Sequence, residues 1–299
     1  MLTGILAGLV AGALWGLVFV APRMVSGVSA VDFTAGRFVS YGALSLLIML
    51  VIRPSPWPNR QQALAAMGMS FLGFTGYYLL LVFAIQDAGT EVPSLIIGTI
   101  PIWMMLLGKP AGLRWAALLP GLAMTLLGLA LMMQASYSLP GLTKPGSGTH
   151  FWRGVAYAVT SMGLWTAFGL LNAAWLKRHP QVSATAWANW LGVATGIGAL
   201  ILWFATGTKL NVLAANPQWA LAAMLMIATG AGSAWLATVL WNVASQRLSA
   251  SLCGQLIVSE TIFALVYSFA WDGHWPNALQ AAACLLFALG ILASIRAHR

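Results

Sequence analysis

Long apolar stretches, cut by brief polar interruptions, follow one another along almost the whole of this chain. Breaking them at prolines, glycines and charge clusters predicts helices over 2–21, 30–52, 62–85, 91–108 and 113–134, then over 152–177, 182–205, 217–244, 248–270 and 276–297. Most of these runs reach the roughly 20 residues that a helix needs to cross ~30 Å of hydrocarbon at 1.5 Å per residue. Between the fifth and sixth runs, Ala135 to His150 holds the densest cluster of Gly, Pro, Ser and Thr in the chain, the mark of a connection between units. The pattern therefore divides into a first half at 1–134, a linker at 135–151 and a second half at 152–299, each half with five helices.

The halves resemble each other. Leu14-Trp15-Gly16 in the first helix is matched by Leu164-Trp165 in the sixth, 150 positions later. Further along the offset becomes 160, where Ala84-x-Gln86 matches Ala244-x-Gln246 and Trp115 matches Trp275. An odd number of crossings per repeat inverts the second copy, so the expected fold is an all-α membrane protein of ten transmembrane helices in two inverted five-helix repeats. A ligand site is then expected near mid-membrane, between the repeats.

Composition agrees: 60% of the 299 residues are hydrophobic and only 6% charged, against roughly 25% charged in a soluble domain. The net charge of +9 is spread singly and in pairs between apolar runs, which argues against a nucleic-acid surface and reads as a topology signal. With a cytoplasmic N-terminus, the inner side holds nine basic residues, Arg53, Arg60, Lys109, Arg114, Lys177, Arg178, Arg247, Arg296 and Arg299. The outer side holds four, Arg23, Lys144, Arg153 and Lys209. Both termini are thus expected on the cytoplasmic side. Asp32, Asp87, Glu91 and Asp272 map to the outer side. The first helix lacks the positive region of a signal peptide and is expected to be retained.

Chemistry of the enzymatic kind is not apparent. There is no Walker sequence, no His-Glu-x-x-His and no Gly-x-Ser-x-Gly. Cys253 and Cys284 sit in apolar runs without metal or disulfide spacing, so no metal and no cofactor is expected.

Several residues stand out within the helices. Gly4, Gly8, Gly12 and Gly16 recur every fourth position and leave one face of the first helix almost bare, a ridge for close packing inside a monomer rather than for dimerisation. Gly192 and Gly196 repeat this on a smaller scale. Charges inside hydrocarbon cost about 2.5–3.5 kcal/mol each on insertion scales. Glu260, some twelve residues into its helix, and Arg37, some seven into its own, are the two candidates. Either they bind the two charges of an amphoteric ligand, or they satisfy each other and nearby backbone. Trp57, Trp115, Trp152, Trp219, Trp271 and Trp275 fall at helix ends and suit interface anchoring. Trp15, Trp103, Trp165, Trp241 and the pair Tyr77-Tyr78 lie deeper, where they either fill the bundle or stack on a flat ligand. Asn189, between Trp187 and Trp190, and Gln255 add uncharged polar groups at depth, which either line a cavity or bridge helices. Pro93 and Pro101 are expected to kink the fourth helix as a gate.

Leu14-Trp15-Gly16 with Arg37-Phe38, Ala84 before a helix start, and Pro101 ahead of an aliphatic run resemble the EamA repeat of the drug/metabolite transporter superfamily. Trp165, Asn242-x-Ala244 and Ser259-Glu260 resemble its second copy. More narrowly, the chain is similar to the aromatic amino acid exporter branch. That resemblance implies a central cavity, alternating access and small aromatic substrates met within the lipid bilayer. The residues expected to bind them are Trp15, Tyr78, Trp103, Trp165, Asn189, Gln255 and Glu260, with Arg37 as a charge partner. Two positions depart from the pattern: Asn189 stands where a repeat-related Arg is expected, and Thr261 where many members carry Pro. The centre is therefore expected to be asymmetric. The competing readings are a proton-coupled multidrug or cationic-metabolite exporter that works through Glu260 and, in another class, a membrane scaffold or intramembrane enzyme.

Overall fold

The computed structural model describes residues 1–51, 57–89, 91–137, 149–273 and 275–298, and their regular structure is helical, without a strand among the described residues. Helix α1 (Leu2–Gly16) continues through short 3-10 turns as far as Met24, and α2 (Ala30–Val51) follows. Helices α3 (Arg60–Ser70) and α4 (Gly76–Ala88) are parts of one rod, joined by the π-helical turn Phe71–Thr75. Two short helices, α5 (Glu91–Gly98) and α6 (Ile100–Leu107), precede α7 (Trp115–Tyr137). The second part has α8 (Thr149–Arg178), α9 (Ala184–Thr206) and the small α10 (Leu210–Ala214). There α11 (Trp219–Thr229) and α12 (Ala237–Arg247) again form one rod, through the π-helical turn Gly230–Leu236, and α13 (Ala250–Asp272) and α14 (Ala278–Ala297) complete the chain.

Among the described residues, nine helical runs are long and apolar enough to cross a membrane. The expected fourth helix is the exception. Its apolar part, Val92–Leu107, is shorter than the others and is broken at Thr99, whose hydroxyl donates to the carbonyl of Ile96. Neither expected kink lies in a helix interior: Pro93 occupies the first turn of α5, and Pro101 opens α6. A proline there loses no hydrogen bond, because the first amides of a helix have no partner anyway. Among the described residues, the proline inside a helix is Pro120 of α7. The expected linker also narrows: Ala135–Tyr137 belongs to α7 and 149–151 to α8, while 138–148 lie outside the described residues, as do Arg53, Lys144 and Arg299.

Glycines set the helix contacts. Lipid tails are as apolar as leucine, so helices in a membrane gain little from hiding apolar surface and associate through close packing instead. Along α1, Gly4 faces Leu248, Gly8 faces Leu256, Gly12 faces Ser259, and Gly16 faces Phe263 and Ala264. The ridge is used inside the chain, and α1 and α13 lie side by side in the same direction. Helices α2 and α9 cross where a Cβ on Gly42 would lie 2.7 Å from the Cα of Gly196. Helices α7 and α14 meet at Gly121 and Gly290.

The bundle is packed unevenly from end to end. Every residue of α13 from Ser251 to Ser259 is buried, and none from Glu260 to Asp272 is. In α4 only Gly76 and Ala84 are buried. At the tight end, where α9 and α13 begin, the fully buried Met104 of α6 fits between Gly169 of α8 and Gly254 of α13. Beside it the Ser251 amide donates to the Gly108 carbonyl at 3.1 Å. A buried hydrogen-bond chain also runs there: the Trp187 indole donates to Asn172 (2.7 Å), the Asn172 amide to Asn242 (3.1 Å), and Asn242 to the Ala184 carbonyl (3.3 Å). The loose end is pinned at its surface by the ion pairs Arg23–Asp272 and Arg153–Asp87. Asp32 holds the turn after α9 to the start of α2, accepting from the Thr208 amide and hydroxyl at 2.8 and 2.7 Å.

Gly196→Val forces side-chain atoms between two touching backbones, and overpacking of this kind costs about 1–3 kcal/mol. The detergent-solubilised variant is expected to melt several degrees below the parent. Gly163→Ala, where a Cβ meets nothing within 4 Å, is expected to leave the melting temperature unchanged or slightly raised.

Candidate functional site

Three indoles from three helices meet where tight packing gives way to loose. Trp15 of α1, Trp165 of α8 and Trp241 of α12 touch in pairs, with ring centroids 6.2, 5.3 and 6.1 Å apart for 15–165, 15–241 and 165–241. Because Gly12 faces Ser259 and Gly16 faces Ala264, Trp15 stands level with the point on α13 where the buried run ends. Trp241 is 1% exposed, and its indole nitrogen has no hydrogen-bond partner. Trp15 and Trp165 are half-buried. Trp15 and Trp165 thus form an aromatic floor, backed by the buried Trp241, above the tightly packed end.

From that floor an unbroken line of ring contacts leads sideways. Trp165 meets Phe168 at 5.9 Å, Phe168 meets Phe74 at 5.5 Å, Phe74 meets Phe38 at 5.8 Å, and Phe38 meets Tyr78 at 6.2 Å. All but the tilted contacts within the triad are edge-to-face, the geometry that brings the positive edge of one ring to the negative face of the next. Phe74 lies in the first π turn, where an extra residue widens the helix and shifts the side chains beyond it. The second π turn carries Trp235, whose indole donates to Asn189 Oδ1 at 2.8 Å. The Asn189 amide nitrogen is buried without a partner.

The charged residues lie beside this line. The Arg37 guanidinium sits 4.6 Å above the Phe38 ring, is 8% exposed, and leaves its Nε buried without a partner. Glu260, half-buried, occupies the first position of α13 past the buried run. Arg37, Tyr77, Tyr78 and Glu260 fall within one another's electrostatic reach, yet no direct ion pair joins Arg37 to Glu260. Tyr78 is tethered by its hydroxyl, which donates to the Ala30 carbonyl at the start of α2 at 3.1 Å.

Of the residues expected at the site, Trp15, Trp165 and Tyr78 are joined by the ring contacts, Arg37 and Glu260 lie alongside, and Asn189 is tied in through Trp235. Gln255 stands apart. Fully buried, it donates to Thr125 of α7 at 3.1 Å and accepts from Ser294 of α14 at 3.2 Å, which makes it a bridge between helices. Trp103 is 43% exposed and makes none of these ring contacts, because its neighbours Ile102 and Met104 take the inward face of α6. Pro93 and Pro101 open their short helices, as described above. Phe74, Phe168, Trp235 and the central role of Trp241 do not stand out in the sequence, and Phe38 entered only beside Arg37 in the repeat pattern. One signal was available: Phe71 and Gly230, which open the two π turns, are separated by nearly the same 160-position offset that relates Ala84 to Ala244.

Comparison with known proteins agrees with this architecture. The model of the EamA-like transporter family matches residues 2–134. The inner membrane protein YtfF of Escherichia coli (strain K12) is 30% identical, in an alignment covering 99% of this chain and 96% of the relative. A protein of known crystal structure superposes with a TM-score of 0.74 over 98% of both chains, at a 19% identity that speaks for the fold alone. The apolar helices and these relatives together make the protein a multi-pass membrane transporter, and the chain belongs to the EamA-like transporter family of the drug/metabolite transporter superfamily.

Proposed function

We propose that this protein exports aromatic amino acids and similar small metabolites across the bacterial inner membrane, by alternating access to a central cavity floored by Trp15, Trp165 and Trp241. The observation that carries the reading is the position of this triad at the level where the bundle changes from tight to loose. A solute entering from the loose end meets the half-buried indoles of Trp15 and Trp165, backed by the buried Trp241, and the half-buried ring of Tyr78, surfaces suited to a flat apolar body. Asn189 and Glu260 offer it polar contacts, and Arg37 a countercharge.

In this reading the broken run Val92–Leu107 is the tenth crossing, and residues 1–134 and 152–299 are inverted copies that rock about the centre as one monomer. Four features support that. Helix α1 packs on α12 and α13 as α8 packs on α4 and α6, α2 pairs with α9, and α7 with α14. Each half also carries a π turn in the rod ahead of its last two crossings. The excess of basic residues assigned to the inner side, nine against four, supports cytoplasmic termini, and with them a tight end that faces the cytoplasm and a loose end that faces outward. The Escherichia coli relative is named an inner membrane protein, which supports the location and does not bear on the orientation.

The test is counterflow of labelled phenylalanine and tryptophan in proteoliposomes. A ring contact is worth about 0.5–1.5 kcal/mol, so Trp165→Ala and Tyr78→Ala are each expected to lower apparent affinity about two- to tenfold at unchanged protein level. Unchanged flux in both variants overturns the assignment of the site. Gln255→Leu serves as the contrast. It removes two interhelical hydrogen bonds, worth about 0.6 kcal/mol each in a membrane, so melting is expected to fall by a few degrees while substrate affinity stays at the parent value.

A further inference from the structure

We propose that a groove at the loose end, walled by α2, α9 and α11 and roofed by α10, holds one acyl chain of an anionic glycerophospholipid from the surrounding bilayer, with the lipid phosphate at Lys209. None of the rings in the aromatic line belongs to its lining, which keeps the groove apart from the transport site.

The groove follows α2 from Asp32 in its first turn to Ser40, about 12 Å at 1.5 Å per residue, and has a volume of about 190 Å³. Sites that enclose small molecules measure roughly 300–1,000 Å³. A slot of this size suits a slender chain. Its sides are fixed by packing and hydrogen bonds. Met226 of α11 sits on the bare Gly36, where a Cβ would clash with its sulfur. Opposite, Trp203 of α9 folds against Gly207, and its indole donates to the Thr208 carbonyl at 3.1 Å. The Thr208 amide and hydroxyl are the groups that bind Asp32, so this wall is tied to α2. The start of α11 is tied as well: the Asn216 amide donates to the Ser26 carbonyl at 3.0 Å, and the Ser26 amide to Gln218 at 2.8 Å. Above, α10 turns the buried Leu213 toward the groove and leaves Leu210 and Val212 exposed. The open side is marked by Ile227, which is 61% exposed, and by Phe204 beside Trp203, which is 88% exposed. In a membrane both stand against lipid.

The polar groups in the lining are already engaged. The Ser40 hydroxyl donates to the Gly36 carbonyl at 2.8 Å, and the Asp32 carboxylate accepts from Thr208 and from the Ser29 hydroxyl. The remaining lining is aliphatic, aromatic or thioether surface and the bare Gly36, so a polar solute finds no hydrogen bond there. Moving a lipid tail from the bilayer into an apolar slot gains little by itself, because tails and leucine side chains are alike. A charge at the mouth supplies the preference. Of the described basic residues assigned to this end, Arg23 is paired with Asp272 and Arg153 with Asp87, whereas Lys209 is exposed and makes no ion pair. Lys209 follows Thr208 and caps α10, which places it at the upper end of the groove. Trp203 and Trp219 flank that end, near the termini of α9 and α11, where indoles mark the level of the lipid head groups. A fixed apolar slot beneath a free lysine, at head-group depth, matches a phosphate joined to a chain.

The test uses the full-length protein in bilayer nanodiscs that contain a small fraction of phosphatidylglycerol with a diazirine midway along one acyl chain. After illumination, the adducts are mapped by mass spectrometry. They are expected on Trp203 and on residues 223–227, several-fold above the level at exposed apolar positions such as Leu119 and Leu126 of α7. Unlabelled phosphatidylglycerol is expected to displace the probe about fivefold better than phosphatidylethanolamine, the worth of one lysine at an anionic lipid surface. Lys209→Gln is expected to remove that preference and leave the adducts where they are. Ala223→Trp, which fills the slot, is expected to bring them down to the level on α7. Should Ala223→Trp not fold, the adduct map and the competition in the parent protein decide the matter. Adducts spread evenly over the lipid-facing helices indicate annular lipid only and overturn the proposal. Displacement by oleyl alcohol as good as by phosphatidylglycerol overturns it too, because the head group then has no part. Displacement by phenylalanine or tryptophan assigns the groove to the transport path and overturns it as well.

Discussion

The contact on which the rest of this structure depends is the seating of α13 on the bare face of α1. In hydrocarbon there is little to gain from moving leucine off lipid and onto leucine, so two helices stay together only if their backbones come close enough for dense van der Waals contact. Four glycines at four-residue spacing make that possible along most of α1. The same device recurs with a different partner at the tight end, where Met104 occupies the space left by Gly169 and Gly254. Methionine suits that position, since an unbranched and polarizable side chain fills an irregular notch and can leave it by bond rotation. Glycine packing thus decides which end of the bundle is closed.

Above the closed end, the two π turns determine what faces the centre. An extra residue in a helical turn rotates the side chains that follow and weakens the regular hydrogen-bond ladder at that point. In the first rod the turn carries Phe74 into line between Phe38 and Phe168, and in the second it carries Trp235 to Asn189. The line of aromatic rings, most of them buried, is therefore assembled from six separate helical elements, and its continuity depends on the glycine contacts that bring them together. The polar groups alongside are sparse. Asn189 Nδ2 and Arg37 Nε remain without protein partners next to a line of rings, an arrangement that is costly unless something else meets them.

The hydrogen-bonded chain from Trp187 through Asn172 and Asn242 has a different character. All of its members lie on α8, α9 and α12, and each polar group in it is accounted for. It ties those three helices to one another near the tight end, where Met104 against Gly169 and the Ser251 amide on Gly108 are further contacts. In the Asn242-x-Ala244 pattern that resembled a repeat signature, Asn242 bridges helices by hydrogen bonds.

The features of this protein that its sequence states outright are those that are local along the chain. The length of an apolar run decides whether a helix can cross, and the glycine spacing of α1 announces a bare face, so the membrane class, nearly every helix and that ridge are legible in the residues themselves. The depth of Trp15, Trp165 and Tyr78 is equally plain from their distance to the helix ends. The direction in which a side chain faces is not. In a soluble helix the polar stripe marks the outside, but in a membrane the lipid face and the packed face are equally apolar and that periodic signal disappears. Trp103 and Trp165 therefore read alike, although one lies 43% exposed on the surface of α6 and the other touches two more indoles. Gln255 and Asn189 are indistinguishable for the same reason. The π turns are hidden too, because one inserted residue leaves composition unchanged. The break at Thr99 falls within what reads as one kinked helix, because a proline looks the same whether it bends a helix or begins one. Only the packing of distant helices against one another resolves these alternatives.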